Sequence, residues 1–359
     1  MNILIIYGGQ SCEHDISIIT ACLAKGYFRG NIVSAYFDKQ NRCFAVPNDF
    51  TPAKHTNCTF REQISFCFGE KRIAICKGKR VKRYVEIDVA VNCCHGVCGE
   101  DGTVSAICQM MGVPLVGSNL LSSAIAMDKI ATKQALRAIG MPTIRGRHIT
   151  RKQFEEGTYS TGNLGFPIIV KPNKLGSSIG ITLCHNKDEL KNALKVAFSY
   201  DNDVLCERAL TNFYEVNCSA MRVNNAVQTS DVDMSITAHD LLTFEDKYIS
   251  QSKWCKPVID INVEVQTAVK NMTQQIYQKL AFSGVIRVDY LVDKTDGKIY
   301  VNEINSIPGS LAYGLWSNIY SQSQFGKLLV EQAVLDFQSD AKLVRSYDSS
   351  VLNGAINKK

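Results

Sequence analysis

The first third of the chain alternates short apolar runs with segments of helical periodicity. Asn2–Tyr7 and Ile32–Phe37 are apolar runs of strand length, and a helical segment near Ile16–Leu23 lies between them. Asp88–Cys93 is another apolar run, followed by a segment with apolar residues at i, i+3, i+4 and i+7. Strands that alternate with helices in this way are typical of an open α/β domain, which we expect to span residues 1–117.

The middle of the chain has the pattern of a smaller α+β module. A helix is predicted near Met127–Ile139, and apolar runs at Phe166–Lys171, Ile181–Cys184 and Val204–Glu207 predict strands. Loop signals and a second helical segment separate these runs. We expect this module to span residues 118–208.

The last third predicts a strand, a long helix and two more strands. The strand is expected at Tyr214–Arg222, the helix near Glu264–Phe282, and the final strands at Val285–Val292 and Lys298–Asn305. This third unit is expected to span residues 209–345, and residues 346–359 form a polar tail that we expect to be loose.

Composition limits the classes of function. The 359 residues are enough for two or three domains, and 45% apolar against 21% charged residues exclude a disordered chain. The net charge of +6 comes from 40 basic and 34 acidic residues that form no dense basic stripe. We therefore expect anionic small molecules as ligands and no nucleic acid.

The chain contains 14 cysteines, spread from Cys12 to Cys255 and mostly within apolar segments. No basic region precedes the first apolar run, and no stretch approaches the ~20 apolar residues of a membrane span, so we expect neither a signal peptide nor a membrane segment. The cysteines are therefore interpreted as reduced thiols of a cytoplasmic protein.

The two final strands bring polar side chains together. Asp293–Gly297 is a turn signal, and a loop at 295–297 would pair Lys294 with Lys298. That register places Asp289 opposite Glu303, and it places Arg287 opposite Asn305. Since side chains alternate along a strand, Val301 is expected on this polar face, whereas the other face is core and carries Tyr300, Asn302 and Ile304.

Two carboxylates that face each other repel unless a cation lies between them. Asp, Glu and Asn oxygens suit a Mg²⁺ ion shared with phosphates. The alternative is an exposed face on which Arg287 neutralises the two acids. The pattern alone leaves both interpretations open.

Three loops are further candidates. Lys171–Gly180 is rich in Gly and Ser and allows backbone N–H groups to approach a phosphate, although an ordinary flexible turn has the same composition. Cys93–Gly102 contains three cysteines and His95; it suits a ligand loop at a sheet edge better than a zinc site. Gly8–Asp15 lacks the third glycine of a dinucleotide fingerprint, and an acid in it would bind a substrate ammonium or cap the next helix.

Taken together, the motifs resemble the D-alanine–D-alanine ligases of the ATP-grasp superfamily from Ile3 to about Leu315. The segments that carry the resemblance are Gly8-Gly9-x-Ser11-x-Glu13, His95-Gly96-x-x-Gly99-Glu100-Asp101-Gly102, Met127-Asp128-Lys129, Ile169-Val170-Lys171-Pro172, Gly176-Ser177-Ser178-x-Gly180, Lys247-Tyr248, Arg287-Val288-Asp289 and Asn302-Glu303-Ile304-Asn305. Each motif is common alone, but eight in the family's order are specific. The resemblance implies an N-terminal α/β domain followed by a two-domain ATP-grasp fold.

The resemblance also implies roles for individual residues. The residues implied to bind ATP are Lys129, Lys171, Ser178, Glu207 (adenine), Glu215 (ribose) and Lys247. The residues implied to bind two Mg²⁺ ions are Asp289, Glu303 and Asn305, and Mn²⁺ could replace Mg²⁺. Glu13, Ser177 and Tyr248 would form a trio at the ammonium of the first D-alanine, with His95 beside it; Arg287 and Gly309 would form an oxyanion pocket. Ser310 and Leu315 would contact substrate.

The implied activity is ATP-dependent joining of two D-alanines through an acyl phosphate, for peptidoglycan precursors, in a cytoplasmic enzyme that is commonly a homodimer. Gly314 stands where the family usually has a serine that holds the acceptor's carboxylate. D-serine, D-lactate or another amino acid are therefore alternative acceptors. A non-catalytic nucleotide sensor is the alternative from another class, and the intact set of charged site residues speaks against it.

Overall fold

The computed structural model describes residues 1–57, 59–235, 261–347, 349 and 351. Within them the chain forms three β-sheets. The first contains eight strands and three helices: β1 (Asn2–Gly8), α1 (His14–Ala24), β2 (Asn31–Phe37), β3 (Cys43–Val46), α2 (Pro52–Asn57), β4 (Gln63–Cys67), β5 (Arg72–Lys77), β6 (Arg80–Glu86), β7 (Val89–Asn92), α3 (Thr103–Met111) and β8 (Leu115–Val116).

The first sheet has the order β6-β5-β4-β3-β2-β1-β7-β8, and its β2-β1-β7-β8 part is parallel. The predicted open α/β architecture is confirmed. From β1 the chain crosses to β2 on one side, while β7 lies on the other side. A crevice therefore opens beyond the carboxyl ends of β1 and β7, which is where open α/β sheets bind ligands.

The second sheet is antiparallel, with the order β11-β10-β12-β9. Its elements are α4 (Leu120–Met127), α5 (Lys129–Ala138), β9 (Gly146–Thr150), α6 (Arg151–Glu155), β10 (Ile168–Pro172), β11 (Thr182–Cys184), α7 (Lys187–Ala197) and β12 (Asp203–Arg208). The single helix predicted near Met127–Ile139 is wrong at its start. Asp128 has extended backbone and caps α5 by accepting from the Ala131 N–H at 2.8 Å.

The third sheet is also antiparallel, with β14-β13-β16-β17 in order and β15 on β13. Its elements are β13 (Phe213–Val223), β14 (Ala226–Thr229), β15 (Asp233–Ser235), α8 (Val263–Lys279), β16 (Val285–Asp293), β17 (Ile299–Asn305), a 3₁₀ turn (Gly309–Ala312), α9 (Tyr313–Trp316) and α10 (Gln322–Asp340). Residues 236–260 and most of the predicted tail lie outside the described residues.

The C-terminal elements pack against the first sheet. Trp316 and Phe325, both fully buried, share one apolar core with Ile3 and Ile5 of β1. The Trp316 indole N–H also donates to Ser219 Oγ on β13 at 2.8 Å. This core holds the end of β17 close to the crevice beyond β1 and β7.

No helix among the described residues is long and apolar enough to cross a membrane. Twelve cysteines lie in this part of the chain, and all are free thiols.

Candidate active site

The carboxylate of Glu13 connects a loop of the first sheet with a loop of the second sheet. Glu13 follows β1 and is only 6% exposed, and Ser177, in the loop between β10 and β11, donates its hydroxyl hydrogen bond to Oε1 of Glu13. The two residues are 164 positions apart in the chain. The third member of the trio implied by the resemblance, Tyr248, lies outside the described residues, as does Lys247.

Two glycines make room for this carboxylate. A Cβ built at Gly176 would lie 2.7 Å from Oε2 and 2.8 Å from Oε1 of Glu13. A Cβ built at Gly96 would lie 3.0 Å from Oε2 and 2.4 Å from the Oγ of Ser11. All four distances are below ordinary van der Waals contact. The glycines of the two motifs are thus explained by the close approach of backbone to a buried acid.

His95 lies in the loop after β7 and is buried. Its Nε2 is 2.8 Å from Oγ1 of Thr20, a residue of α1. Burial lowers the pKa of His95 to about 4, and the positive charge of Arg287 acts in the same direction. The imidazole is therefore neutral at physiological pH.

Glu100 joins the loop after β7 to the segment after β17. It accepts a hydrogen bond from the N–H of Gly96 at 2.9 Å and another from the N–H of Ile307 at 3.3 Å. Burial raises the pKa of Glu100, and the negative charge of Glu13 raises it further. The two acids thus lie close enough to affect each other's ionisation.

The polar hairpin of β16 and β17 has the predicted register at its functional end. Arg287 pairs with Asn305, and Asp289 pairs with Glu303. The predicted pairing of Lys294 with Lys298 is wrong, because Asp293 bonds to Lys298 instead. A bulge between the turn and the Asp289–Glu303 pair shifts the pairing by one residue, so the register at that pair is the predicted one.

The bulge also changes which side chains face the core. Val301, predicted on the polar face, is fully buried in the core of the third sheet together with Ile304. Asn302, predicted on the core face, accepts a hydrogen bond from Lys171 Nζ at 3.2 Å through its side-chain oxygen. Tyr300, also predicted in that core, packs in a separate small cluster. Because the bulge adds one residue to β17, the side chains between the bulge and the turn face the opposite side of the sheet from the one predicted.

Asp289 is the centre of the polar face. Arg287 donates to it twice, from Nε at 2.7 Å and from a second guanidinium nitrogen at 2.8 Å, and Asn305 donates at 3.0 Å. Asp289 and Glu303 are cross-strand neighbours, and the Asn305 side-chain oxygen remains available as a ligand. Two carboxylates and an amide oxygen fit a hard divalent cation that shares its coordination with phosphates. Arg287 pairs with Asp289, as the alternative interpretation expects, but the residues of this face are half-buried rather than exposed.

A cluster of buried charges lies at the second sheet. The Glu207 carboxylate, 2% exposed, pairs with Lys171 at 2.7 Å and with Lys133. Burial alone would raise the pKa of Glu207, but Lys171 and Lys133 lower it to about 2. Lys129, at the start of α5, donates to the carbonyl oxygen of Leu175. Burial would lower the pKa of Lys171, but Glu207, Glu303 and Glu215 raise it, so this ammonium stays charged and is suited to bind an anion.

The Gly/Ser loop contributes backbone as well as side chains. Ser177 and Ser178 have φ of +54° and +58°, a left-handed conformation that turns the backbone of the loop sharply. The N-terminus of α5 contacts this loop, since the Ile130 N–H donates to the side-chain oxygen of Asn173 at 3.0 Å. Glu215 lies half-buried on β13, opposite Ser235 of β15.

The turn after β17 contains the residues implied for the acceptor. Gly309 begins it, and Ser310 has a φ of +51° and donates its N–H to Thr20 Oγ1 at 3.2 Å. Leu315 is half-buried against the core of the first sheet. A Cβ added at Gly314 would meet no atom within 4 Å, so the position has space for a side chain.

The alternative zinc site finds no support in the described residues, which contain no group of three or more His, Cys, Asp and Glu suited to a metal. Cys93 and Cys94 are buried in separate apolar cores of the first sheet. Their thiols are core side chains.

The sequence motifs do not identify Thr20 or Lys133 as site residues, and they contain Glu100 only as one member of a motif. Lys133 lies on the same buried face of α5 as Leu136. A lysine on an otherwise apolar helix face is the sequence signal that could identify it as a buried, paired residue. Thr20 lies on the buried face of α1 with Ile16 and gives no comparable signal.

Comparison with known proteins gives a consistent result. A family model described as D-ala D-ala ligase N-terminus matches residues 2–118, and one described as D-ala D-ala ligase C-terminus matches residues 132–332. The D-alanine–D-alanine ligase of Thermosipho melanesiensis is 30% identical over 370 residues and is aligned over 100% of both chains. That of Campylobacter jejuni is 30% identical over 319 residues, which cover 89% of this chain and 90% of the relative.

Solved structures agree on the fold. The D-alanine–D-alanine ligase of Coxiella burnetii superposes with a TM-score of 0.79 at 24% identity, covering 96% of this chain and 97% of that one. A D-Ala:D-Ser ligase from Enterococcus faecalis gives a TM-score of 0.77 at 24% identity, covering 92% and 99%. The ATP-grasp architecture is thereby confirmed. Since the family models and full-length relatives agree, this chain belongs to the D-alanine–D-alanine ligase family.

Proposed function

We propose that this protein joins two D-alanines in an ATP-dependent reaction that proceeds through an acyl phosphate and supplies peptidoglycan precursors. The observation that carries the proposal is the hydrogen bond between Ser177 and Glu13. It places a buried carboxylate, suited to a substrate ammonium, directly against the Gly/Ser loop of the nucleotide site. A bound amino acid and the γ-phosphate of ATP would therefore lie side by side.

The lysine cluster is the proposed phosphate site. Lys129 and Lys171 are the side chains assigned to the phosphates, with the left-handed backbone at Ser178 as further N–H donors. Glu207 and Glu215 are assigned to the adenine and ribose ends, and Lys247 to the γ-phosphate. The phosphates of ATP would pair with these ammonium groups.

The proposed chemistry begins with the carboxylate of the first D-alanine. A carboxylate oxygen attacks the γ-phosphorus, the bond to ADP breaks, and an acyl phosphate forms. The amine of the second substrate then attacks the acyl carbon, and phosphate leaves after the amine has lost a proton. Glu13, with Ser177 and Tyr248, would hold the first ammonium, while Arg287 and the backbone at Gly309 would stabilise the oxyanion.

Asp289, Glu303 and Asn305 are the proposed ligands of two Mg²⁺ ions, for which Mn²⁺ could substitute. The metal would neutralise charge on the transferring phosphoryl group. The support is the donor set of the hairpin, in which Asp289 and Glu303 are cross-strand neighbours.

The acceptor end of the site is where this chain differs from the usual pattern of the family. Gly314 provides no hydroxyl for the acceptor's carboxylate, although its surroundings are open. Ser310 and Leu315 are the side chains that we assign to this end of the site. D-serine is the second candidate acceptor, and the similarity to a D-Ala:D-Ser ligase favours testing it.

We further propose a cytoplasmic homodimer. The free thiols in the described residues, among them Cys12 and Cys98 in the substrate loops, suit a reducing compartment. Analytical ultracentrifugation measures the oligomeric state directly, and a monomer at micromolar concentration would contradict the dimer.

Phosphate release from ATP, with pairs of D- and L-amino acids and D-lactate, tests the activity when combined with mass spectrometry of the product. We expect D-alanyl-D-alanine. If no pair containing D-alanine stimulates phosphate release, the proposal is wrong. If D-alanine reacts only with D-serine or D-lactate, the acceptor assignment alone fails.

Gly314→Ser then tests the acceptor pocket. Because the position has space for a side chain, the variant should fold normally. A hydroxyl that binds the acceptor's carboxylate should lower the KM of the second D-alanine by about two- to tenfold, the effect of one hydrogen bond. An unchanged KM would show that the acceptor's carboxylate is held elsewhere.

A further inference from the structure

Thr20 has contacts that the roles proposed above leave unexplained. It lies on α1, is only 1% exposed, and its Oγ1 is 2.8 Å from Nε2 of His95 and 3.2 Å from the backbone nitrogen of Ser310. His95 belongs to the loop after β7, and Ser310 belongs to the turn after β17. One hydroxyl therefore contacts both the proposed first-substrate loop and the proposed acceptor turn.

The chemistry of the three groups favours one direction for each hydrogen bond. The backbone N–H of Ser310 can only donate, so Oγ1 of Thr20 accepts from it. Within the described part of the chain, the hydroxyl proton of Thr20 then has a single acceptor within reach, Nε2 of His95. A nitrogen that accepts a hydrogen bond carries no proton, and a neutral imidazole has its one proton on the other nitrogen, Nδ1.

We propose that Thr20 is a positioning residue that fixes His95 as the Nδ1–H tautomer and anchors the backbone of Ser310 at the same time. The inference rests on the proposed function, which places His95 beside the first D-alanine. In that arrangement the imidazole presents a neutral N–H donor to the substrate. A neutral donor orients a carboxylate without forming an ion pair, which would reduce the nucleophilicity needed for attack on the γ-phosphorus.

The second contact concerns a strained turn. Ser310 has a φ of +51°, a left-handed conformation that is unfavourable for residues other than glycine. A hydrogen bond from its N–H to a buried hydroxyl stabilises that conformation. Loss of the hydroxyl should therefore affect the acceptor as well as the first substrate, which a residue acting on His95 alone would not do.

The tautomer can be measured directly in the ligand-free protein. Long-range ¹H–¹⁵N correlation spectra of protein with ¹⁵N-labelled histidine distinguish a protonated Nδ1 from a protonated Nε2, and the His95→Gln variant identifies the His95 signals. We expect the Nδ1–H form in the wild type and loss of that preference in Thr20→Val. A wild-type ring protonated at Nε2 would overturn the proposal, even if Thr20→Val does not fold.

Steady-state kinetics test the positioning role. Thr20→Val should raise the KM of both D-alanines about tenfold, the effect of one or two lost hydrogen bonds, and should leave the KM of ATP unchanged. Thr20→Ser should restore both values. Thr273→Val, which removes a fully buried threonine hydroxyl on α8, is the matched control and should leave both values unchanged.

Unchanged D-alanine constants in Thr20→Val would contradict the positioning role. Failure of the proposed function is distinguishable from failure of this inference. A wild-type protein that does not react with D-alanine refutes the function, whereas the tautomer is read without any substrate.

Discussion

Glu100 and Ile307, 207 residues apart, are joined by a hydrogen bond from the Ile307 N–H to Oε1 of Glu100 at 3.3 Å. The other carboxylate oxygen accepts from the Gly96 N–H. Gly96 borders the Glu13 site, and Ile307 lies two residues before the turn that begins at Gly309. Glu100 therefore holds two substrate loops at a fixed separation.

Glu100→Gln should weaken this connection, because an amide can accept at only one of its two side-chain atoms. We expect kcat/KM for D-alanine to fall about tenfold, which corresponds to the loss of one hydrogen bond. Glu331→Gln, an exposed glutamate on α10, should behave as wild type. Equal activity of the two variants would show that Glu100 does not set the loop separation.

Gly176→Ala should damage the Glu13 site without unfolding the protein. Gly176 has no positive φ, so alanine is conformationally allowed, but its Cβ would lie 2.7 Å from the Glu13 carboxylate. We expect the KM of the first D-alanine to rise about tenfold or more, because displacing Glu13 weakens its pairing with the substrate ammonium. The thermal midpoint should stay near that of the wild type. A normal KM would mean that the Glu13 carboxylate is free to move.

The parallel strands β1, β2 and β7 and the pairing at the functional end of the polar hairpin could be predicted because their signals are local. Apolar runs of strand length, a glycine-containing turn and period-two alternation specify strands and their neighbours. The predicted pairing of Asp289 with Glu303 is correct because the structure differs from the predicted hairpin in two ways that cancel each other. The turn begins one residue earlier than predicted and is one residue longer, and the bulge at Asn302 restores the register. A bulge has no strong signature in a single strand, so regular alternation predicts the wrong faces for Val301 and Asn302.

The contacts of Thr20 and Lys133 could not be predicted, because each depends on elements that are distant in the sequence. Thr20 meets residues 75 and 290 positions away, and Lys133 meets Glu207. Within its own helix each residue has an ordinary polar side chain. Only the packing of the sheets against one another shows that these side chains are buried and paired.

Asp289→Asn tests the proposed metal site. The variant keeps the shape of the side chain but removes one of the two facing carboxylates, so Mg²⁺ should bind more weakly. We expect turnover to fall about a hundredfold or more and to require higher Mg²⁺, since charge on the phosphoryl group is no longer neutralised. Asp296→Asn is a matched control, because Asp296 is an exposed residue of the turn in the same hairpin. Near-normal turnover of Asp289→Asn at low Mg²⁺ would exclude this carboxylate as a ligand.

Lys133→Met tests the buried charge cluster. Removal of one ammonium leaves Glu207 paired with Lys171 alone, which should hold Lys171 more tightly and reduce its donation to phosphate. We expect the KM of ATP to rise about tenfold and the free energy of unfolding at neutral pH to fall by about 1.5–3 kcal/mol, the typical contribution of a hydrogen bond to a charged group. Lys133→Arg should retain part of the affinity for ATP and part of the stability. Lys191→Met, on the exposed face of α7, should change neither.

The pH dependence of stability gives an independent measurement on the same variant. The pKa of Glu207 is lowered to about 2 in the folded protein, so its pairing stabilises the fold fully above the ordinary carboxyl pKa of about 4.3 and is lost as the pH falls from there towards 2. In Lys133→Met the folded-state pKa should rise and this contribution should shrink. Chemical denaturation at a series of pH values should therefore show the two proteins differing most above the carboxyl range and converging as the pH approaches 2. A constant difference throughout that range would mean that Lys133 does not stabilise the ionised form of Glu207.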